Sequence, residues 1–280
     1  MDRSTGYTFT PIGVVKCSQK YRFESPRQGV FGSQDGRIEL LPSYGGDAIA
    51  DLAGFSRIWV IFCFHLNCDR PWKAKVKVPF PADSPCRSLF ATRSPYRVNP
   101  IGLSCVEVDR IEKNCIYLKN IDMLDGTPVL DIKPYIPEAD AFPEADAGWR
   151  DESVADKKDN GKWTVDFSGL FLKQADFIME ISGLDLKNFC EIQLSSEPLD
   201  FSRKRLIDCQ NNEFLLGCRT WKIRFAAESA AQQIKVLEVR SNYRSEELTE
   251  NSEDRYNDKK YHRLFNEANS KFFEKEGILI

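Results

Sequence analysis

Histidine is nearly absent: the 280 residues contain two, His65 and His262. So little imidazole leaves almost no material for a His-rich metal centre or a Ser-His-Asp hydrolase, and GxSxG and HExxH are both missing. No CxxC pair occurs. The nine cysteines run irregularly from Cys17 to Cys218, the tightest pair being Cys63 and Cys68 around His65. That pattern predicts reduced thiols in core positions, with neither a zinc site nor a disulfide scaffold. Glycine-rich phosphate loops are also lacking: neither GxGxxG nor GxxxxGK followed by Ser or Thr is present, which excludes a Rossmann or P-loop nucleotide site. No apolar run approaches the ~20 residues needed to span a bilayer. The start Met1-Asp2-Arg3-Ser4-Thr5 has no apolar h-region, so a cytoplasmic protein with no membrane attachment is expected.

What is present suits a soluble globular chain. Hydrophobic residues make up 42% and charged residues 29%, and the length exceeds that of a usual single domain, so a full core plus a smaller second unit is expected. The net charge of −3 hides an uneven distribution. Residues 57–110 carry nine Lys/Arg against four acids, whereas residues 138–160 carry eight acids against three bases. A basic face on the first domain is suited to phosphate contacts, although a solvated charge pattern has the same composition.

The first half reads as short strands separated by Gly, Pro and Ser clusters, the pattern of a β-barrel or sandwich. Candidate strands are 8–17, 36–40, 57–66, 74–80, 89–93, 102–110, 114–122 and 129–135, with a helical turn at 47–54. The strand 57–66 is apolar on both faces and therefore central; His65 emerges at its end, where a side chain is held rigidly at a pocket mouth or bonded to backbone in the core. Expected domains are a β-barrel over 1–145, an acidic linker over 146–162, a small α+β domain over 163–240 and a charged tail over 241–280. Within the second domain, 163–182 reads as a helix interrupted near Gly169, 186–194 as a second helix, and 214–226 with 232–239 as a hairpin. The fold class is mainly β.

Three polar, proline- and glycine-rich blocks lie at strand ends, where function concentrates. Ser25-Pro26-Arg27-Gln28-Gly29 combines a fixed φ, a permissive glycine and two donors, and taken alone is a turn. Phe90-Ala91-Thr92-Arg93-Ser94-Pro95-Tyr96-Arg97-Val98-Asn99-Pro100-Ile101-Gly102-Leu103-Ser104 is too polar for a core strand and too stiff for a linker. Its Arg93 and Arg97 match carboxylate or phosphate oxygens. Asp122-Met123-Leu124-Asp125-Gly126-Thr127-Pro128-Val129-Leu130-Asp131-Ile132-Lys133-Pro134-Tyr135 reads as strand, tight Asp-Gly turn and strand, a hairpin whose carboxylates suit the amino group or ribose of a small ligand.

In this order the blocks resemble the TrmO family, whose hallmark is a PRQ segment, an FATRSPxRPNPxGLS segment and an LDGTPVLDIKPY segment. With Phe9 to Val14 and Phe55 to Val60, the resemblance covers nearly all of residues 7 to 140. It implies a non-Rossmann β-barrel that binds S-adenosyl-L-methionine near the interface of a homodimer. It further implies methylation of N6 of threonylcarbamoyladenosine beside the tRNA anticodon. Residues matching the family's cofactor pocket are Pro26, Arg27, Gln28, His65, Leu66, Arg93, Leu103, Asp122, Met123, Leu124 and Asp125. Because N6 there is part of a urea-like group and a poor nucleophile, its proton must leave as the new bond forms, and Asp125 or His65 is the expected acceptor. No metal is implied.

Two departures stand out. Val98 replaces the proline of the RPNP segment, and the DPRPxY-like stretch of two-domain members reads Glu197-Pro198-Leu199-Asp200-Phe201-Ser202-Arg203-Lys204-Arg205. Thr220 to Phe225 still resembles the family's final hairpin, so the second domain is expected to contact tRNA in an altered way. The rival readings are a noncatalytic RNA-binding barrel, stacking bases on Tyr96 or Phe90, and a methyltransferase acting on a small molecule.

Overall fold

The computed structural model describes residues 6–31, 34–78, 85–151, 163–201, 204–249, 253–254 and 256–274. The five-residue start and most of the acidic linker (152–162) lie outside them. The chain divides into two compact units, Met1–Asp159 and Asn160–Ile280.

Unit 1 is a closed barrel. Its strands are β1 (Gly13–Cys17), β2 (Gly36–Leu40), β3 (Arg57–Cys63), β6 (Ile101–Glu112), β7 (Cys115–Lys119) and β8 (Pro128–Pro134), with β4 (Lys75–Val76) and β5 (Arg87–Ser88) forming a separate two-stranded ribbon. The barrel order is β1-β2-β7-β6-β3-β8, all antiparallel, with β8 pairing back onto β1. Period-2 alternation produces it. Along β3, Ile58, Val60 and Phe62 are buried in the barrel while Trp59, Ile61 and Cys63 face outward. Val15, Ile38, Val106, Ile116 and Val129 complete the interior, and closure leaves no strand edge unpaired.

Three expectations for this unit change. β7 and β8 are not paired with each other, so the Asp125-Gly126 turn is not a hairpin; residues 120–127 instead cross the barrel end and hydrogen-bond to β1. The stretch 89–93 is no strand but a 3-10 turn, Leu89–Ala91, because Thr92 turns back: its amide and hydroxyl both donate to the Leu89 carbonyl. The strand read over 74–80 is the two-residue β4 at its start, with 79–80 outside the described residues. A short helix, α1 (Pro137–Asp140), follows β8, and Asp140 accepts from the Trp59 indole at 3.0 Å.

Unit 2 is a five-stranded sheet in the order β10-β11-β12-β13-β9, made of β9 (Thr164–Phe167), β10 (Leu206–Asp208), β11 (Glu213–Cys218), β12 (Trp221–Glu228) and β13 (Gln233–Ser241). Three helices accompany it: α2 (Gly169–Ser182), α3 (Leu186–Leu194) and α4 (Lys259–Glu274). The region read as one interrupted helix is a strand followed by a helix. Thr164 to Phe167 alternate and pair parallel with β13, after which the Ser168 hydroxyl accepts from the Phe171 amide and starts α2. The stretch 214–226 is two strands, β11 and β12, meeting at Arg219-Thr220, so the expected hairpin with β13 is part of a three-stranded meander.

The charged tail carries a core helix. Phe265 of α4 is fully buried among Trp221, Phe225 and their neighbours. Gln174 of α2 ties the layers together, donating to Asn269 at 2.7 Å and accepting from the Val239 amide at 2.7 Å. His262 is also fully buried, stacked on Trp221 at 3.7 Å and bonded to Thr220 and Ser241, each at 2.8 Å. It is a satisfied core histidine. Phe265→Ala is expected to destabilise unit 2 by about 3–5 kcal/mol, read as lost hydrogen-exchange protection in α4, β12 and β13. Unchanged protection there would show that α4 is not seated in the core.

Candidate functional site

The three blocks meet at one end of the barrel, with Asp122 at the centre. The Ser104 hydroxyl donates to the Asp122 carboxylate at 2.6 Å, and the Ser25 hydroxyl donates to the Asp122 carbonyl at 2.7 Å. One residue thus receives a bond from the second block and a bond from the first. Ser104 reaches it because alternation along β6 turns Gly102 and Ser104 inward while Ile101 and Leu103 stay exposed.

The first block is pressed against the crossing segment. A Cβ placed on Gly29 would lie 1.9 Å from the Asn120 carbonyl oxygen, so any larger residue forces the two backbones apart. The loop leading to it is shaped by the buried Glu24 carboxylate, which accepts from the amides of Lys20 (2.7 Å) and Tyr21 (3.1 Å). Pro26 is buried, Gln28 half-buried and Arg27 exposed.

Burial pushes the Asp122 carboxyl above its ordinary range. The Ser104 hydroxyl, the backbone amides of Asp122 and Gly29, and the nearby Arg93 charge oppose that rise without cancelling it. Arg93 itself is exposed, at a bend whose shape comes from Arg97 donating to the Thr92 carbonyl at 3.0 Å. Val98, at the position of the missing proline, is also exposed.

His65 begins a 3-10 turn, His65–Asn67, directly after β3. Two bonds carry this turn to the other blocks: the Phe64 amide donates to the Pro100 carbonyl at 2.7 Å, and the Arg22 guanidinium donates to the Leu66 carbonyl. Desolvation lowers the His65 pKa below its usual value and the Arg22 charge adds to this, outweighing a backbone bond at Cys63. The ring is therefore neutral at physiological pH. Leu66 and Leu103 are exposed apolar residues beside these polar groups.

Asp125 sits where the crossing segment passes β1. Its amide donates to the Gln19 carbonyl at 2.7 Å and its carboxylate accepts from the Cys17 amide at 3.1 Å. Gly126 then takes φ 76°, a left-handed value that a side chain disfavours, and its amide bonds to Val15. Burial pushes the Cys17 thiol up to about 12, so it stays protonated and points at the Met123 carbonyl. Met123 differs from the expected pocket residue: its side chain belongs to the barrel core, which leaves its main chain for the site. Leu124 is half-buried and accepts from the Thr127 amide.

Direct contacts therefore join Ser25, Gly29, Ser104 and Asp122, with Arg93 in electrostatic reach. Through Arg22, Pro100 and Gln19 the turn at His65 and the turn at Asp125 are tied to the same end. Ser104, Arg22, Cys17 and Gln19 were not singled out by sequence reasoning. Only Ser104 left a signal, as the last polar residue of its block on the inward face of a strand. Both amide atoms of the buried Gln19 side chain, and Asn67 Oδ1, have no hydrogen-bond partner among the described residues.

In unit 2 the divergent stretch uses its charge internally. Lys204 donates to the Ser196 carbonyl at 2.8 Å, the Glu197 carbonyl at 2.6 Å and the Gln193 carbonyl, closing the end of α3. Arg205 donates to the carbonyls of Gly217 and Arg219, both at 3.2 Å. Residues 202–203 lie outside the described residues.

With this geometry in view, the comparisons are specific. Residues 14–141 match the family model of the tRNA-methyltransferase O N-terminal domain. The chain is 31% identical over 242 residues to the tRNA (adenine(37)-N6)-methyltransferase of Escherichia coli, covering 84% of this chain and all of that protein. It belongs to the TrmO family. A TrmO crystal structure from Pseudomonas aeruginosa aligns with a TM-score of 0.60 at 29% identity, over 84% of this chain and 98% of that one. The chain is also similar to an S-adenosyl-L-methionine-binding protein of Archaeoglobus fulgidus, 38% identical over 130 residues, or 46% of this chain and 90% of that protein.

Because the Ser104 hydroxyl favours the charged form of Asp122, Ser104→Ala is expected to raise the Asp122 pKa further, measured by carboxyl-carbon NMR titration. A raised folded-state pKa gives stability that is present below the unfolded value and lost as pH rises through the folded value. The variant's deficit, about 1.5–3 kcal/mol where Asp122 is ionised, is therefore expected to shrink on acidification through that window. A deficit independent of pH would mean that Ser104 does not act on the carboxylate.

Proposed function

We propose that this chain uses S-adenosyl-L-methionine to methylate N6 of adenosine 37 in tRNA, and that the adenosine carries an N6-threonylcarbamoyl group. The observation that carries this reading is the convergence of the three blocks on Asp122, in a chain with family membership and no nucleotide-binding glycine loop. The residues fit such a cofactor by their chemistry. Asp122 offers a carboxylate to an ammonium or ribose hydroxyls, Arg93 a guanidinium to a carboxylate, and Leu66 and Leu103 apolar cover to an adenine. Pro26, Arg27, Gln28, Met123 and Leu124 are assigned to the same pocket by their match to the family's blocks. When bound, S-adenosyl-L-methionine supplies a methyl group on a cationic sulfur.

The protein's work is alignment and proton removal. Holding the base nitrogen in line with the methyl carbon requires rigid walls, which the bonded loops provide. A neutral His65, or the Asp125 carboxylate whose second oxygen takes no hydrogen bond among the described residues, accepts the N6 proton. The exposed Ile101 and Leu103 beside the site support assembly as a homodimer with the cofactor near the interface. A cytoplasmic location follows from a tRNA substrate, and among the described residues no helix is long and apolar enough to cross a membrane. Unit 2 is assigned to tRNA contact. The internal use of Lys204 and Arg205 favours one alternative, a small-molecule acceptor.

Methyl incorporation from labelled S-adenosyl-L-methionine into tRNA with and without the threonylcarbamoyl group decides among these. Transfer to modified tRNA alone is expected; equal transfer to unmodified tRNA removes the substrate assignment, and no transfer to either favours the small-molecule reading. Loss of the base is expected to lower turnover about a hundredfold or more in either His65→Ala or Asp125→Asn, with cofactor affinity retained. If His65 is the acceptor, the acid limb of the wild-type profile falls below pH ~6.5, since activity needs the unprotonated ring. A variant with full turnover removes its residue from the role.

A further inference from the structure

Cys63 and Cys68 bracket the turn that presents His65 and Leu66, and their sulfurs lie 3.7 Å apart in hydrogen-bond contact. Cys63 is the last residue of β3, half-buried on its outer face opposite Ile101, and Cys68 is exposed at the far end of the turn. A disulfide needs about 2.05 Å between the sulfurs. Closing the gap takes side-chain rotation and a small drawing together of the ends of a six-residue segment.

That segment has little slack. It is held by Phe64 to Pro100, by the Asn67 amide to Phe64 at 2.8 Å, and by Arg22 to the Leu66 carbonyl. Any tightening between Cys63 and Cys68 falls on His65, Leu66 and Asn67, whose own side-chain oxygen is buried without a partner among the described residues. We propose that Cys63 and Cys68 form a dithiol modification site, at which hydrogen peroxide installs a disulfide that reshapes the His65–Leu66 turn and weakens cofactor binding. The second half of this rests on the cofactor reading given above; the first half does not.

The order of events follows from exposure and acidity. Burial, with the bond to Cys68, pushes the Cys63 thiol up to about 11, so Cys63 keeps its proton and Cys68 reacts first. The Cys68 thiolate attacks one peroxide oxygen; the O–O bond breaks and hydroxide leaves, giving a sulfenic acid. The Cys63 sulfur then attacks the Cys68 sulfur; the S–O bond breaks and water leaves with the Cys63 proton. Two thiols and one peroxide become one disulfide and two waters. Linkage makes the effect reciprocal. If the reduced chain binds the cofactor ~10-fold more tightly, saturating cofactor must raise the reduction potential of the pair by about 30 mV.

The test uses the full chain, oxidised with stoichiometric hydrogen peroxide and mapped by peptide mass. S-adenosyl-L-methionine affinity is measured by calorimetry before oxidation, after it, and after dithiothreitol. A Cys63–Cys68 disulfide is expected, with affinity reduced ~10-fold and restored by the reductant, while Cys68→Ser binds like the reduced wild type and does not respond to peroxide. Failure to find that linkage in a chain that still binds the cofactor overturns the modification site. Linkage formed with affinity unchanged, or the same loss in peroxide-treated Cys68→Ser, overturns the coupling to the cofactor. Absence of binding by the fully reduced wild type overturns the cofactor reading instead, and the peptide map still decides the site.

Discussion

The hydrogen bond from Ser104 to Asp122 is the contact on which the functional end of the barrel depends. A carboxylate enclosed by protein is costly unless its oxygens are bonded, and here the bonds come from different parts of the chain: a hydroxyl on β6 and the Gly29 amide from the first loop. Remove either and the desolvation penalty, already only partly opposed, grows. Since the Ser25 hydroxyl also seats on the Asp122 carbonyl, the residue acts as the junction through which two loops and a crossing segment share one geometry.

Closure of the barrel explains why the junction is there. A closed sheet satisfies its backbone laterally, so the only unpaired groups lie at the strand ends, and the loops at those ends must bond one another. The crossing segment 120–127 does this by running over the end and bonding to Val15, Cys17 and Gln19. A site made from such loops needs no helix N-terminus to bind a nucleotide-like ligand, which accounts for the missing glycine motif. Its penalty is visible in Asp122, where burial pushes the carboxyl above its ordinary range, so the fold disfavours the ionised form.

How much of this was legible in the residues can be argued element by element. The barrel strands were readable because Ile58, Val60 and Phe62 alternate with outward residues, and the three blocks because proline, glycine and polar residues cluster at strand ends. Strand order was not readable. An Asp-Gly turn reports local backbone shape, whereas pairing β8 with β3 and β1 is decided by contacts far apart in sequence, so a hairpin was expected where none exists. The same limit hid α4: Phe265 and His262 sit in a charged segment with few aliphatics, and Trp221 and Thr220, far off in sequence, supply the surface they pack against. Arg22, Gln19 and Cys17 were invisible for another reason. They act through, or upon, main-chain atoms, which carry no sequence signature.

Unit 2 constrains how the substrate can be recognised. The divergent stretch keeps its basic character, yet Lys204 and Arg205 direct their donors to carbonyls of their own chain, and a cation so engaged has little left for a phosphate. Other basic side chains lie on the face of the sheet away from the helices: Lys222 and Arg240 occupy paired positions on β12 and β13, with Arg240 exposed and ion-paired to Glu238. Contacts of that kind would neutralise backbone charge without reading bases. On the function proposed above, a change in the DPRPxY-like stretch alters how tightly the RNA is held more than which atom is methylated, because the groups assigned to align the reacting nitrogen belong to unit 1.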